Sequence, residues 1–79
     1  MMSQITIYTQ NDCPPCQIVK MFLKDHQVDF EEKNITSDPK ARNELTQVYG
    51  AYSTPTVVAG NEVIIGFELE KLKKALSLE

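Results

Sequence analysis

Tryptophan is missing from this 79-residue chain, and histidine occurs once. Positive charge is also scarce: 8 Lys and Arg stand against 11 Asp and Glu, for a formal net charge of -3. That balance argues against sequence-independent binding to nucleic acid, which needs a basic surface. The single basic concentration, Lys71, Lys73 and Lys74, reads as a solvated helix end that offsets the helix macrodipole. No run reaches the ~18 apolar residues of a membrane span, so no membrane association is expected. The stretch "MMSQITIYT" lacks the basic start and apolar run of a signal peptide, and a cytoplasmic location is the resulting expectation. There is no internal repeat, low-complexity tract or linker. A chain of 79 residues has room for one modest core, so a single domain over residues 1–79 is expected. It cannot hold separate substrate and cofactor domains. Any chemistry must use few residues or draw on a partner.

What is there is ordinary in bulk: 42% hydrophobic and 24% charged residues, as in globular folds. The period of the apolar pattern changes several times. "QITIYT", Gln4 to Thr9, alternates and is β-branched, which predicts a strand. Pro14 to about His26 predicts a helix with Val19, Phe22 and Leu23 facing inward and Ile18 and Met21 widening that face. "VDFEEKNI" alternates Val28 and Phe30 and predicts a short strand. Asp38 followed by Pro39 is a helix start, with a capping carboxylate and a proline whose missing N–H does no harm. Ala41, Leu45, Val48 and Tyr49 then recur at helical spacing, and Gly50 is a C-terminal stop. "PTVVAGNEVIIGF" is two apolar runs around Gly60-Asn61, a hairpin signal. "ELEKLKKALSL" sets Leu69, Leu72 and Leu76 on one helical stripe, with Glu68 and Glu70 ahead of the lysines as the dipole prefers. The resulting order is β-α-β-α-β-β-α. A right-handed crossover makes the first two strands parallel, and the hairpin completes a four-stranded mixed sheet. The first and third helices cover one face and the second helix the other, an α/β fold of three layers.

Both cysteines of the chain lie within "NDCPPCQIVKMF", two residues apart with two prolines between them. A structural staple, half of a metal site and a redox couple compete to explain them. A cytosolic compartment keeps thiols reduced. Closing a loop of about four residues adds only about 2 kcal/mol before strain is subtracted. Both points weaken the staple. A lone C-x-x-C offers two ligands where structural zinc takes about four. His26, ten positions past Cys16, would lie about 20 Å away along a helix. A metal or iron–sulfur cluster bridged between two chains stays open as the alternative.

Placed between strand and helix, Cys13 takes the N-cap, Pro14 and Pro15 take N1 and N2, and Cys16 takes N3. Pro15 has no N–H to give, so Cys16 supplies the N–H at that turn. The helix dipole adds positive charge near the Cys13 sulfur. A Cys13 pKa below the free value of about 8.5 is therefore expected. The effect is milder than with free amides at positions 14 and 15, and Asp12 opposes it if ionised and close. Cys16, one turn in, is the more covered thiol. One nucleophile and one resolving thiol result: Cys13 attacks a partner's disulfide, and Cys16 then releases the reduced partner.

The segments "ITIYTQNDCPPC", "YGAYSTPTVVAGNEVIIGF" and "EKLKKAL" together resemble glutaredoxins and related small redoxins, including the NrdH type that feeds electrons to ribonucleotide reductase. The resemblance covers nearly the whole chain and implies the minimal thioredoxin-like fold. It implies a thiol–disulfide oxidoreductase with Cys13 as nucleophile and Cys16 as resolving thiol. The Thr54–Pro55 bond is implied to be cis and to lie against the sulfurs, with the Thr54 backbone pairing with a substrate peptide or with glutathione. No bound cofactor is implied beyond the Cys13–Cys16 redox disulfide, with glutathione as a possible co-substrate. Disulfide-containing proteins are the implied substrates, thioredoxin reductase or glutathione the reductant, and a monomer the expected state. Gln10, Pro14, Thr54, Pro55, Gly66 and Phe67 are the candidate substrate-binding residues. Gln10 stands where glutaredoxins usually carry a lysine for glutathione's carboxylate, and only Gly66 survives of a Gly-Gly pair that holds its other end. Loss of a charge-assisted contact weakens glutathione binding. Gly66-Phe67 is closer to the NrdH type, but that type usually has Trp-Ser before it. Tyr8 and Phe67 read as core or rim packing, or else as a platform that docks a partner loop. Tyr52 is the better exposed candidate.

Overall fold

The computed structural model describes residues 5–77. Gln4 and Leu78, which the sequence placed in the first strand and the last helix, lie outside them. Strand β1 (Ile5–Thr9) leads to helix α1 (Pro14–Asp25), strand β2 (Glu31–Asn34) and helix α2 (Pro39–Asn43). A π turn (Glu44–Val48) continues α2. Strands β3 (Thr56–Ala59) and β4 (Glu62–Ile65) and helix α3 (Leu69–Leu76) complete the order. The sheet runs β2-β1-β3-β4, with β1 parallel to β2 and antiparallel to β3, and β3 antiparallel to β4. This is the expected mixed α/β fold.

Strand alternation divides the core in two. Ile5, Ile7, Val57, Ala59 and Ile64 face α1 and α3, where they meet Val19, Leu23 and Leu72. Tyr8 and Val58 face the other way and meet Ala41, Leu45 and Ala51. Every residue of "TVVA" in β3 is buried because both faces of that strand are covered. Ala59 pairs with Glu62 across the two-residue turn Gly60-Asn61, and Gly60 takes φ 61° at the first turn position.

Three departures from the periodic reading have local causes in the helices. Asp38 caps α2 as expected, accepting from the N–H groups of Lys40 and Ala41. The C-terminus of α1 closes through two bonds, Gln27 N–H to Lys24 C=O and Val28 N–H to Leu23 C=O, with Gln27 at φ 57°. In that motif the apolar residue after the left-handed position packs back on the helix. Val28 serves this closure, so β2 begins only at Glu31, and Val28 and Phe30 pack against the core from the connecting loop. Ile18 and Met21 are exposed rather than inward. At ~100° per residue they point away from the stripe of Cys16, Val19 and Leu23. Val48, expected inside, is also exposed. The wider π turn, which bonds Tyr49 N–H to Glu44 C=O, keeps Ala41 and Leu45 inward but swings Val48 out.

Candidate active site

The loop from β1 delivers Cys13 to the N-cap of α1, with Pro14 and Pro15 in the first two helical positions. Cys16 donates its backbone N–H to Cys13 Sγ at 3.2 Å. The two sulfurs are joined as a disulfide, with Cα atoms 5.3 Å apart. Cys16 is fully buried, whereas Cys13 keeps 7% of its surface. That residue of exposure is smaller than the sequence implied, but it falls on the expected sulfur. Asp12 precedes the cap in the left-handed conformation, φ 57°. Asn11 is tied across to the end of β2 and the loop after it: its N–H donates to Thr36 Oγ1 at 3.0 Å, and its Oδ1 accepts from Asn34 Nδ2 at 3.0 Å.

The loop before β3 meets the disulfide from the other side. The Thr54–Pro55 bond is cis, as the resemblance implied. Thr54 Oγ1 lies 3.7 Å from Cys13 Sγ. Pro55 is buried, and its C=O accepts from Gly66 N–H at 2.8 Å. Gly66 holds φ 88°, a conformation that L side chains rarely adopt; a Cβ there would meet no atom within 4 Å, so backbone rather than space calls for glycine. Cys13, Cys16, Thr54, Pro55 and Gly66 are thus linked by direct contacts. Phe67 follows Gly66 and is 50% exposed. Tyr52 is 83% exposed in the same loop as Thr54. Pro14 is exposed beside Cys13, and Gln10 is exposed in the loop between β1 and Cys13.

A shallow hollow next to Cys13 is lined by Asp12, Pro14, Gln17 and Ile18. The sequence reading missed Gln17 and assigned Ile18 to the core. The signal was available, since Ile18 sits one helical turn beyond Pro14 and shares its outward face. Tyr8 belongs to the core, and its hydroxyl donates to Glu44 Oε1 at 2.8 Å. Burial and the Glu44 carboxylate hold its phenol well above the usual tyrosine range. Among the described residues, no three His, Cys, Asp or Glu side chains gather closely enough to hold a metal ion. His26 caps the far end of α1, with Nδ1 2.9 Å from the Phe22 carbonyl oxygen.

Known proteins similar to this chain include redoxins. The sequence model of the glutaredoxin family matches residues 5–64. The glutaredoxin-like protein NrdH of Escherichia coli is 34% identical over 71 residues, which cover 90% of this chain and 86% of that protein. The structure of NrdH-redoxin from Escherichia coli superposes with a TM-score of 0.80 at 33% identity, covering 96% of this chain and 95% of the other. The thioredoxin-like protein BC3987 superposes with a TM-score of 0.88 at 54% identity, covering 90% of this chain and 97% of the other. The chain belongs to the glutaredoxin family, among its NrdH-like small thiol redoxins, and is a thiol–disulfide oxidoreductase.

Proposed function

We propose that this protein reduces disulfides in other proteins, with Cys13 as the attacking thiolate and Cys16 as the resolving thiol. The observation that carries this reading is the asymmetry of the pair. Cys13 keeps the only exposure and receives the Cys16 N–H at the helix N-terminus, where partial positive charge favours thiolate over thiol. Cys13 attacks one sulfur of the substrate disulfide. A Cys13–substrate bond forms, the substrate S–S bond breaks, and the departing sulfur leaves with the bonding pair and takes up a proton. Cys16 loses its proton and attacks Cys13, which expels the second substrate sulfur and closes Cys13–Cys16. Two electrons and two protons pass to the substrate, and a second reductant must return them.

Pro14, Thr54, Gly66 and Phe67 form the surface that receives the substrate, with buried Pro55 holding Thr54 in place beneath it and Tyr52 and Ile18 at its apolar edge. The half-exposed Phe67 ring and exposed Ile18 suit a protein partner better than a small charged tripeptide. Gln10 lacks the charge that would hold glutathione's carboxylate. A flavin-dependent thioredoxin reductase is therefore the preferred reductant over glutathione. The solved NrdH-redoxin from Escherichia coli is described as having a thioredoxin-like activity profile, which supports the same choice. The protein acts as a cytoplasmic monomer in this reading.

Turnover of a disulfide substrate with thioredoxin reductase, and separately with glutathione and glutathione reductase, tests the donor. The reductase couple is expected to sustain turnover, and activity with glutathione alone would reverse the assignment. Cys16→Ser is expected to accumulate a covalent adduct with the substrate, visible as a mass increase removed by added dithiol. Cys13→Ser is expected to form none and to lose activity. Retained dithiol-dependent reduction by Cys13→Ser would sink the mechanism.

A further inference from the structure

The helix that presents Cys13 is poor in donors. Pro14 and Pro15 occupy the first two helical positions, and a proline has no N–H to offer. Of the first-turn amides, the Cys16 N–H reaches the sulfur. A thiolate with one backbone donor is less stabilised than one receiving two or three. The fold brings another donor from 41 positions away: Thr54 Oγ1 stands 3.7 Å from Cys13 Sγ. This distance suits a hydroxyl–sulfur hydrogen bond, since sulfur is larger than oxygen and its bonds are longer.

Thr54 is held where it is by bonds on both sides. Thr56 Oγ1 donates to the Ser53 carbonyl at 2.8 Å, which closes the chain around residues 54 and 55. Gly66 N–H fixes Pro55 to β4. Upstream, Ala51 N–H donates to Leu45 C=O at 3.0 Å, which ties the loop to the π turn. Thr54 is half-buried and its contact with Cys13 Sγ is partly covered, so water competes less for the hydroxyl than on an open surface.

We infer that the Thr54 hydroxyl is a hydrogen-bond donor to the Cys13 thiolate, replacing across the fold the donors that the two prolines remove from the helix. The inference rests on the exchange mechanism proposed above. It gives Thr54 a side-chain role at the reacting sulfur, separate from any backbone pairing with substrate. In the disulfide state the sulfur is a weak acceptor. On reduction it gains negative charge, and the bond strengthens because charge-assisted bonds are the stronger kind. The hydroxyl keeps its proton throughout, and no electron passes through it. Two further influences act on the same sulfur: the dipole of α1 favours the thiolate, and Asp12, which lines the hollow beside it, opposes the charge. Cys16, when reduced, is the other titrating group in contact.

The test is ultraviolet thiolate titration of the reduced protein as wild type, Thr54→Val and Thr54→Ser, each on a Cys16→Ser background so that one thiol titrates. Thr54→Val preserves the shape and removes the donor; it is expected to raise the Cys13 pKa by about one unit, a roughly tenfold smaller thiolate fraction below that pKa. Thr54→Ser keeps the hydroxyl and is expected to stay within about 0.3 units of wild type, well inside the shift predicted for valine. In the two-cysteine protein, Thr54→Val is also expected to move the equilibrium with a reference dithiol toward the Cys13–Cys16 disulfide, since the reduced state loses its stabilised thiolate. Matching titrations for wild type and Thr54→Val would overturn the inference, as would a serine variant that shifts as far as valine. Should valine disturb the loop, seen as a lowered melting temperature, Thr54→Ala carries the same comparison. Failure of the exchange mechanism reads differently: Cys13→Ser would remain active whatever Thr54 does.

Discussion

At the scale of single residues, Glu44 gathers more of the second core than its exposed half suggests. One of its carboxylate oxygens accepts from both Tyr8 Oη and Lys33 Nζ at 2.8 Å, which joins β1, β2 and the π turn. The Lys33 and Tyr8 hydrogen bonds hold the Glu44 carboxyl below the usual glutamate range, and the Glu44 bond holds Lys33 above the usual lysine range. For Glu32, burial pushes upward, but hydrogen bonds from Thr9 and Lys20 outweigh it and the carboxyl is lowered. A carboxyl with a depressed folded pKa adds stability that is complete above its unfolded pKa and disappears as pH falls through the folded one. A lysine with a raised folded pKa adds stability that is complete below its unfolded value and is lost as pH rises through the folded one. Glu44 is 44% exposed at its side chain, so solvent screening limits its pair with Lys33 to less than about 1 kcal/mol. Urea unfolding of wild type and Glu44→Gln across the acid range measures this. The variant is expected to be slightly less stable near neutral pH and to approach wild type in acid, below the folded pKa. An equal gap at both ends would show that the charge of Glu44 contributes nothing.

At the scale of elements, helix α1 divides its work between two faces. Leu23 lies in the core with no exposure, whereas Ile18 is 46% exposed beside Cys13. Leu23→Ala is expected to cost about 2–5 kcal/mol in urea unfolding. Ile18→Glu is expected to stay within about 0.5 kcal/mol of wild type while slowing reduction of a protein disulfide several-fold. A stability loss for Ile18→Glu as large as that for Leu23→Ala would mean that Ile18 packs inward after all. Most element starts were legible in the sequence because they rest on local chemistry. Cys13 with Pro14, and Asp38 with Pro39, each combine a cap with a proline in the first helical position, and each opens a helix. The π turn was not legible. Ala41, Leu45, Val48 and Tyr49 fit an ordinary helix, and a wider turn preserves the spacing of 41, 45 and 49 while turning Val48 outward. The late start of β2 was hidden for a similar reason, since Val28 serves a helix closure that alternation cannot distinguish from a strand.

At the scale of the whole molecule, the fold does for the site what local sequence cannot. The thiol pair was readable from its spacing and its place between strand and helix. The approach of Thr54 to Cys13 joins residues 41 positions apart and depends on β3 lying beside β1, so no pattern within either segment displays it. The sheet holds α1 on one face and the π turn on the other, and the two loops that meet at Cys13 leave β1 and enter β3, strands that are direct neighbours. The central claim is that this arrangement makes two chemically identical thiols unequal. Timed alkylation of the fully reduced protein with a small haloacetamide at neutral pH, with each cysteine followed by peptide mass, measures that inequality directly. Cys13 is expected to react first, with Cys16 labelled only after a clear lag. Equal rates at the two sulfurs, or faster labelling of Cys16, would contradict the account.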